Sequence, residues 1–377
     1  MAELDPSILG KALTSNERLL RSTILHAVYV ERVKARLGQE AVAFLNEELF
    51  PDLLAQVTKV FDRFEGKGGD LATFTSDRYA AMIEELRGVV DEKVRELEGE
   101  VTTRLFDQAK LEATFAAKQV DQASPFALTF TLPDPDYLQQ LVTSKPFQGA
   151  VLSDWFSGLT SNTQDRVAQQ VNLGLAQGET VDQLVARLRG TKANSYTDGA
   201  FQTTRREAEA IARTAANHVS SATREAVFSQ NDDLVSGMMW VATLDDRTCP
   251  VCGKLDGKVF TVDGKGARPP GPPNHYQCRC TLSPVLKSWK ELGFSFDDTT
   301  PASRASANGV VPGALTYPQW LKTESVDTQN EALGPVRADL FRSGELRLSQ
   351  FTDDRGNLLT LEQLAKKYGI ELPAQYQ

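Results

Sequence analysis

The sequence predicts a mainly α protein with one small α+β module that is rich in cysteine. Two observations lead to this fold class. Apolar residues recur every three or four positions through most of residues 1–122 and again through 161–228, which is the period of amphipathic helices. All four cysteines, in contrast, fall between Cys249 and Cys280, where short apolar pieces alternate with glycine and proline and indicate small strands and turns.

Length and composition set the broad class. The chain has 377 residues, 41% hydrophobic and 24% charged, which is typical of a soluble protein with two or three domains. No apolar run reaches the roughly 20 residues that cross a bilayer. The first residues lack the basic start and apolar centre of a signal peptide. We therefore expect that the protein is made in the cytoplasm and does not associate with a membrane.

The net charge of −9 argues against a general nucleic-acid binder, because affinity for phosphate backbones depends on Lys and Arg. The stretch from Trp240 to Lys290 is different, since eight basic residues there face four acidic ones. Two interpretations stay open, a solvated loop surface or a local binding face.

Residues 1–122 are expected to form an N-terminal helical domain. Its clearest helix begins near Ser76, a residue type suited to capping a helix N-terminus. Gly88 and Gly99 fall inside this helix and would weaken it. Its apolar stripe packs either on the earlier helices around 24–30 and 53–60 or on a partner subunit. The stripe consists of Ile83, Leu86, Val90, Val94, Leu97, Val101 and Leu105.

The remaining domains follow from changes in pattern. Prolines and an alternating apolar strip predict an extended crossing segment over 123–160. Residues 161–298 should contain a helical core, with helices at 165–175, 180–190 and 203–228, followed by the cysteine-rich module. Residues 299–314 have the composition of a linker, and 315–377 predict a C-terminal helical subdomain.

The cysteines form a dense constellation. Cys249 and Cys252 make a C-x-x-C pair, Cys278 and Cys280 make a C-x-C pair, and His275 lies three residues before the second pair. Two close pairs brought together by tight turns can supply the tetrahedral, sulfur-rich shell that zinc prefers, so the module is zinc-knuckle-like.

Three interpretations of this cluster stay open. The first is a structural zinc site formed by Cys249, Cys252, Cys278 and either Cys280 or His275. The second is a set of reduced or disulfide-linked cysteines without metal. The third, a catalytic metal, lacks support because no H-x-E motif accompanies the C-x-x-C pair. The chain also lacks phosphate-binding and nucleophile-elbow motifs, so we expect no enzyme, no catalytic residues and no small-molecule substrate.

Three segments resemble the Mu F-like minor head (head morphogenesis) proteins of tailed phages. They are ARTAANHVSSATREAVFSQN, WVATLDDRTCPVCGKLDGKVF and PPNHYQCRCTLSPV. The resemblance extends over roughly 120–365, including the tail element that begins YPQWLK. Many members carry Glu after A-R-T, where this chain has Ala215, and members differ in how many of the cysteines they retain.

The resemblance implies a structural and assembly component of the virion. Such a protein would be made in the host cytoplasm, bind the portal protein and other head proteins at the portal vertex or head interior, and assist head morphogenesis or DNA delivery. From the local positive charge we predict contacts to the portal or to packaged DNA through Arg247, Lys258, Arg268 and Arg279. The alternative function is that of a zinc-ribbon nucleic-acid-binding protein.

Overall fold

The computed structural model describes residues 14–65, 76–124, 128–262, 271–293, 303–307, 309–312, 315–353 and 357–371. Among these residues, no helix is both long and apolar enough to cross a membrane. The helices are α1 (Ser15–Phe44), α2 (Phe50–Glu65), α3 (Ser76–Ala123), α4 (Pro135–Ser144), α5 (Leu152–Ala176), α6 (Val181–Arg189), α7 (Phe201–Ser229), α8 (Pro250–Gly253), α9 (Tyr317–Thr323), α10 (Val326–Leu333), α11 (Pro335–Ser343) and α12 (Leu361–Tyr368). The strands are β1 (Val235–Val241), β2 (Val259–Thr261), β3 (Thr281–Leu286), β4 (Ser303–Ser306) and β5 (Gly309–Pro312). The predicted fold class, mainly α with a small α+β cysteine-rich module, is confirmed.

The chain divides into two compact units, each assembled from separate stretches of sequence. Unit 1 comprises Met1–Tyr29, Glu112–Pro133 and Ser221–Gln377, and unit 2 comprises Val30–Leu111 and Asp134–Ser220. The cysteine-rich module and the C-terminal helices both belong to unit 1. The domain boundaries expected at residues 122, 160, 298 and 314 stay predictions.

The long helix α3 has the buried stripe that its sequence predicts. All seven residues of the stripe are buried, and none is more than 8% exposed. In unit 2 this face lies on the earlier helices: Lys93 pairs with Asp52 of α2 at 3.6 Å, and Leu53 and Val57 of α2 are fully buried. These contacts favour packing within the chain over packing on a partner.

The two glycines of α3 do not interrupt it, because the helix runs through both. A Cβ atom added at Gly88 would meet no atom within 4 Å. We therefore expect Gly88→Ala to stabilise the protein by about 0.5–1 kcal/mol, since alanine costs less backbone entropy in a helix. The urea unfolding midpoint should rise. Gly174→Ala is the matched control in α5: it should destabilise, because its Cβ would lie 2.9 Å from the buried Leu184 methyl group.

Helices α5 to α7 correct the expected boundaries. Helix α5 begins at Leu152, well before the expected residue 165. The prediction that 123–160 is extended is wrong in part: residues 128–134 have no regular secondary structure, but α4 and the start of α5 occupy most of the rest. Thr180 caps α6, since its Oγ1 accepts from the Gln183 amide at 3.3 Å.

The module contains a three-stranded antiparallel sheet in the order β2-β1-β3. Met239 pairs with Val259 on one side and with Ser283 on the other, and Trp240 is fully buried. The expected linker 299–314 is not simply a linker, because β4 and β5 form an antiparallel hairpin within it.

Helices α9 to α12 lie within residues 315–377, where the sequence predicts a helical subdomain, and the subdomain itself stays a prediction. Its helices share one apolar cluster, which also includes Leu244 from the module. Trp320 of α9 and Phe351 lie at most 1% exposed within it. The cluster consists of Leu244, Tyr317, Trp320, Leu321, Leu333, Val336, Ala338, Leu340, Phe341, Leu346, Leu348, Phe351, Leu359 and Leu364.

Candidate metal centre

The C-x-x-C pair is shaped by the single turn of α8. Cys249 caps this turn with an extended backbone, and Pro250 occupies its first position, where a helix needs no amide hydrogen bond. The Gly253 amide donates to the Cys249 carbonyl at 2.9 Å and closes the turn. One turn of helix therefore brings the two thiols to the same side.

The second cysteine pair, Cys278 and Cys280, lies just before β3. The Cys278 amide donates to the His275 carbonyl at 3.2 Å, which folds the chain back just before the strand. His275 Nε2 lies 3.2 Å from the sulfurs of both Cys249 and Cys252. The sulfurs of Cys252 and Cys278 are 3.8 Å apart.

All five predicted ligands lie in two overlapping sets of donor atoms, each of which could hold a metal ion. Two sets of three have all their donor atoms within 4.8 Å of one another: Cys249 with Cys252 and His275, and Cys252 with Cys278 and Cys280. Cys252 belongs to both. A tetrahedral zinc ion with Zn–S bonds of about 2.3 Å separates its sulfurs by roughly 3.8 Å, as found between Cys252 and Cys278. All four cysteines are free, so no disulfide joins them.

His275 is oriented for coordination by its other ring nitrogen. Nδ1 lies 2.8 Å from the Tyr276 carbonyl oxygen, which can only accept a hydrogen bond. Nδ1 therefore carries a proton, and the lone pair of a neutral ring is then on Nε2, toward the sulfurs. Protein ligands of metal ions are commonly fixed in this way by an outer hydrogen bond.

The electrostatics of the cluster favour a bound cation. A hydrogen bond with Cys252 lowers the pKa of the Cys249 thiol to about 4, and a hydrogen bond with Cys249 raises the pKa of His275 to about 9. The pKa of Cys252 is raised, chiefly by its hydrogen bond to Cys249, because neighbouring thiols cannot all ionise without a counter-charge. A metal ion supplies that charge and displaces the protons.

An ion pair connects the two cysteine-bearing turns. Arg279, between Cys278 and Cys280, binds Asp245 through both guanidinium nitrogens, one of them at 2.7 Å. Asp245 Oδ1 also accepts from the Arg247 amide at 3.1 Å. Both side chains of the pair are only 16% exposed, so solvent screens their attraction less than that of a surface pair.

A buried carboxylate attaches the module to the C-terminal helices. Asp256 is 5% exposed and accepts from two amides, Ala242 and Tyr317, each at 2.7 Å. The next residue, Gly257, has φ +77°, a conformation that favours glycine, and its amide donates to the Trp240 carbonyl. Asp256 therefore fixes β1 and the start of α9 at once.

Tyr317 completes this attachment. Its hydroxyl donates to the Thr248 carbonyl at 2.9 Å, next to Cys249, and its ring covers Gly253. A Cβ atom at Gly253 would lie 2.4 Å from the ring, so the contact requires glycine. Burial raises the pKa of Tyr317, which keeps the hydroxyl protonated as a donor.

The four predicted contact residues differ in their surroundings. Arg247 and Lys258 are exposed on the module. Arg279 is engaged by Asp245, which gives it a positioning role within the module. Arg268 lies outside the described residues.

The other two histidines, His26 and His218, lie away from the cysteine cluster and contact other side chains. His218 is buried and stacks on Phe147, and burial lowers its pKa to about 4. His26 lies 3.0 Å from both oxygens of Glu112, a buried acid that also pairs with Arg224 at 3.5 Å. The sequence analysis missed this buried network, because no local pattern marks Glu112 or Arg224.

Comparison with known proteins finds one family match, which includes the cysteine-rich module. Residues 165–283 match the family model described as Phage Mu protein F like protein. Comparison with the curated proteins and with the solved structures gives no match. The match begins in α5 and ends in β3, so the resemblance expected for the flanking residues stays a prediction. The match over residues 165–283 supports the resemblance to the Mu F-like phage head proteins that the sequence predicts.

Proposed function

We propose that this protein is a minor head protein of a tailed phage, a structural component of the virion that assembles at the portal vertex. The observation that carries the proposal is the family match, which includes the whole cysteine–histidine cluster. Made in the host cytoplasm, the protein would bind the portal protein and other head proteins and assist head morphogenesis or DNA delivery.

The polar groups of the module support a structural role without catalysis. A catalytic metal needs an open position and a nearby base. Two carboxylates of the module, those of Asp245 and Asp256, instead bind Arg279 and two backbone amides. Their arrangement braces the module, and we propose no reaction for it.

We propose further that the cluster binds structural zinc through Cys249, Cys252, His275 and Cys278. The short distances from His275 Nε2 to two sulfurs favour the histidine as a ligand over Cys280. Bound zinc would cross-link α8 to the turn before β3 through its ligands. Cys280, which is 3% exposed, would then fill space behind the site.

Particle composition tests the proposed function. In particles of the phage that encodes this chain, purified and analysed by mass spectrometry, we expect the chain at a low, fixed ratio to the portal protein. A phage that makes the chain carrying both Cys249→Ser and Cys252→Ser should yield fewer infectious particles. Wild-type particles that lack the chain, or normal infectivity with the variant, would contradict the proposal.

The exposed Arg247 and Lys258 support a second candidate, direct contact of the module with DNA. That function predicts DNA affinity that falls steeply with salt, and a weaker salt dependence after Arg247→Gln and Lys258→Gln. The net charge of −9 disfavours DNA binding, so this function is the second candidate after the structural role.

A further inference from the structure

We propose that unit 2 has a docking groove for a basic amphipathic helix of another protein. The acidic groove, as we call it, lies between the C-terminal half of α1 with the turn that follows it and the middle of α3. It encloses about 420 Å³. Its lining residues are Leu37, Glu40, Ala41, Ala43, Phe44, Glu47, Glu48, Glu96, Leu97, Glu100, Val101 and Arg104.

The groove carries more acidic than basic side chains, although Glu40 pairs with Arg36 at 2.8 Å. Five glutamates line it, against a single arginine, Arg104. Arg104 pairs with Glu40 at 3.5 Å, and Lys93 beside the groove pairs with Glu96 at 3.2 Å and with Glu48 at 3.7 Å. Among the described residues, Glu47 and Glu100 have no such ion pair, so the groove keeps excess negative charge at both walls.

The backbone of one wall has a special conformation. Residues Leu45–Leu49 form a π-helical turn between α1 and α2, with Leu45 and Leu49 fully buried and Glu47 and Glu48 exposed. A π-helical turn inserts an extra residue into the helix and changes the direction of its side chains, and such turns are frequent at functional sites. Here the turn keeps its leucines in the core and presents its glutamates at the groove.

The floor between the two acidic walls is apolar. The half-buried Ala43 and Phe44 supply its apolar surface, and the buried Leu37, Ala41, Leu97 and Val101 lie beneath them. A helix bearing Lys and Arg fits this combination, because the alkyl stems can lie on the apolar floor while the charged ends reach the glutamates. Nucleic acid is excluded as the occupant by like charge. The partner is therefore a protein segment, basic on one face and apolar on the other.

A binding measurement tests this proposal without depending on the metal centre or the virion. The probe is a fluorescein-labelled helical peptide of about 18 residues, with Lys and Arg along one face and Leu along the other. Its affinity for the full chain is measured by fluorescence anisotropy at physiological salt. We expect the double variant Glu47→Gln with Glu100→Gln to bind about tenfold more weakly, since two charge contacts are lost.

The matched control removes the same charge elsewhere. Glu331 and Glu345 are exposed residues of the C-terminal region, and Glu331→Gln with Glu345→Gln should leave the affinity unchanged. Hydrogen exchange should show protection by the peptide confined to residues 37–48 and 96–104. Equal losses in the two double variants, no loss in either, or protection elsewhere would overturn the proposal.

Discussion

Replacing Cys252 with Ser is expected to abolish metal binding, from about one ion per chain to nearly none. Cys252 is shared by both sets of three donor atoms, so no choice of ligands can dispense with it. Serine has nearly the same size, but its hydroxyl is a far weaker ligand for zinc than a thiolate. The measurement is metal content by mass spectrometry on protein purified without chelator.

Two companion variants identify the fourth ligand. With the set Cys249, Cys252, His275 and Cys278, His275→Ala should lose the metal and Cys280→Ser should retain it. If Cys280 is the fourth ligand in place of His275, Cys280→Ser should lose the metal and His275→Ala should retain it. Retention of metal by Cys252→Ser, or its absence from the wild-type protein, would contradict a metal site here.

Loss of the metal should also lower the stability of unit 1. The free energy of binding to a folded-state site is added to the free energy of folding. Without the ion, ionised thiols of the cluster would repel one another, since only His275 and shared protons offset them. We expect a lower melting temperature for Cys252→Ser than for Cys280→Ser, although both remove one buried sulfur.

Helices with a continuous stripe could be predicted from the sequence because their period is a local property. The stripe of α3 lies within 23 residues, from Ile83 to Leu105, and the structure buries all of it. The first half of α5 could not be predicted, because its local pattern is not that of a continuous apolar stripe. Its stripe includes Thr163, a fully buried polar residue that hydrogen-bonds Thr204 at 3.3 Å, and the surrounding Ser, Gly and Asn residues are typical of a loop.

The cysteine cluster was predictable because chemistry and spacing coincide. Few residue types bind zinc, and here they occur close together in the chain. The hairpin of β4 and β5 could not be predicted in this way, because the surrounding Ser and Ala residues are typical of a linker.

Contacts between distant segments could not be predicted. Asp256 and Tyr317 are 61 positions apart, and nothing in either neighbourhood shows that one binds the other. The pairing of Asp245 with Arg279 is of the same kind. Such contacts depend on the complete fold, so the sequence revealed the ligands of the module but not the residues that hold it in place.

The attachment through Asp256 yields the second large prediction. Asp256→Ala removes the carboxylate that accepts from two amides, those of Ala242 and Tyr317. Each lost hydrogen bond to a charged group costs about 1.5–3 kcal/mol, so we expect a destabilisation of about 3 kcal/mol or more. Asp256→Asn should cost about half as much, because its amide oxygen can accept from one donor while its NH₂ group faces the other.

The control Asp233→Asn, at an exposed turn, should change stability by less than about 0.5 kcal/mol. Urea unfolding followed by tryptophan fluorescence gives the stabilities, and hydrogen exchange should show the amides of Ala242 and Tyr317 exchanging faster in Asp256→Ala. Unchanged exchange at Tyr317 would mean that α9 is held in place by its apolar contacts alone.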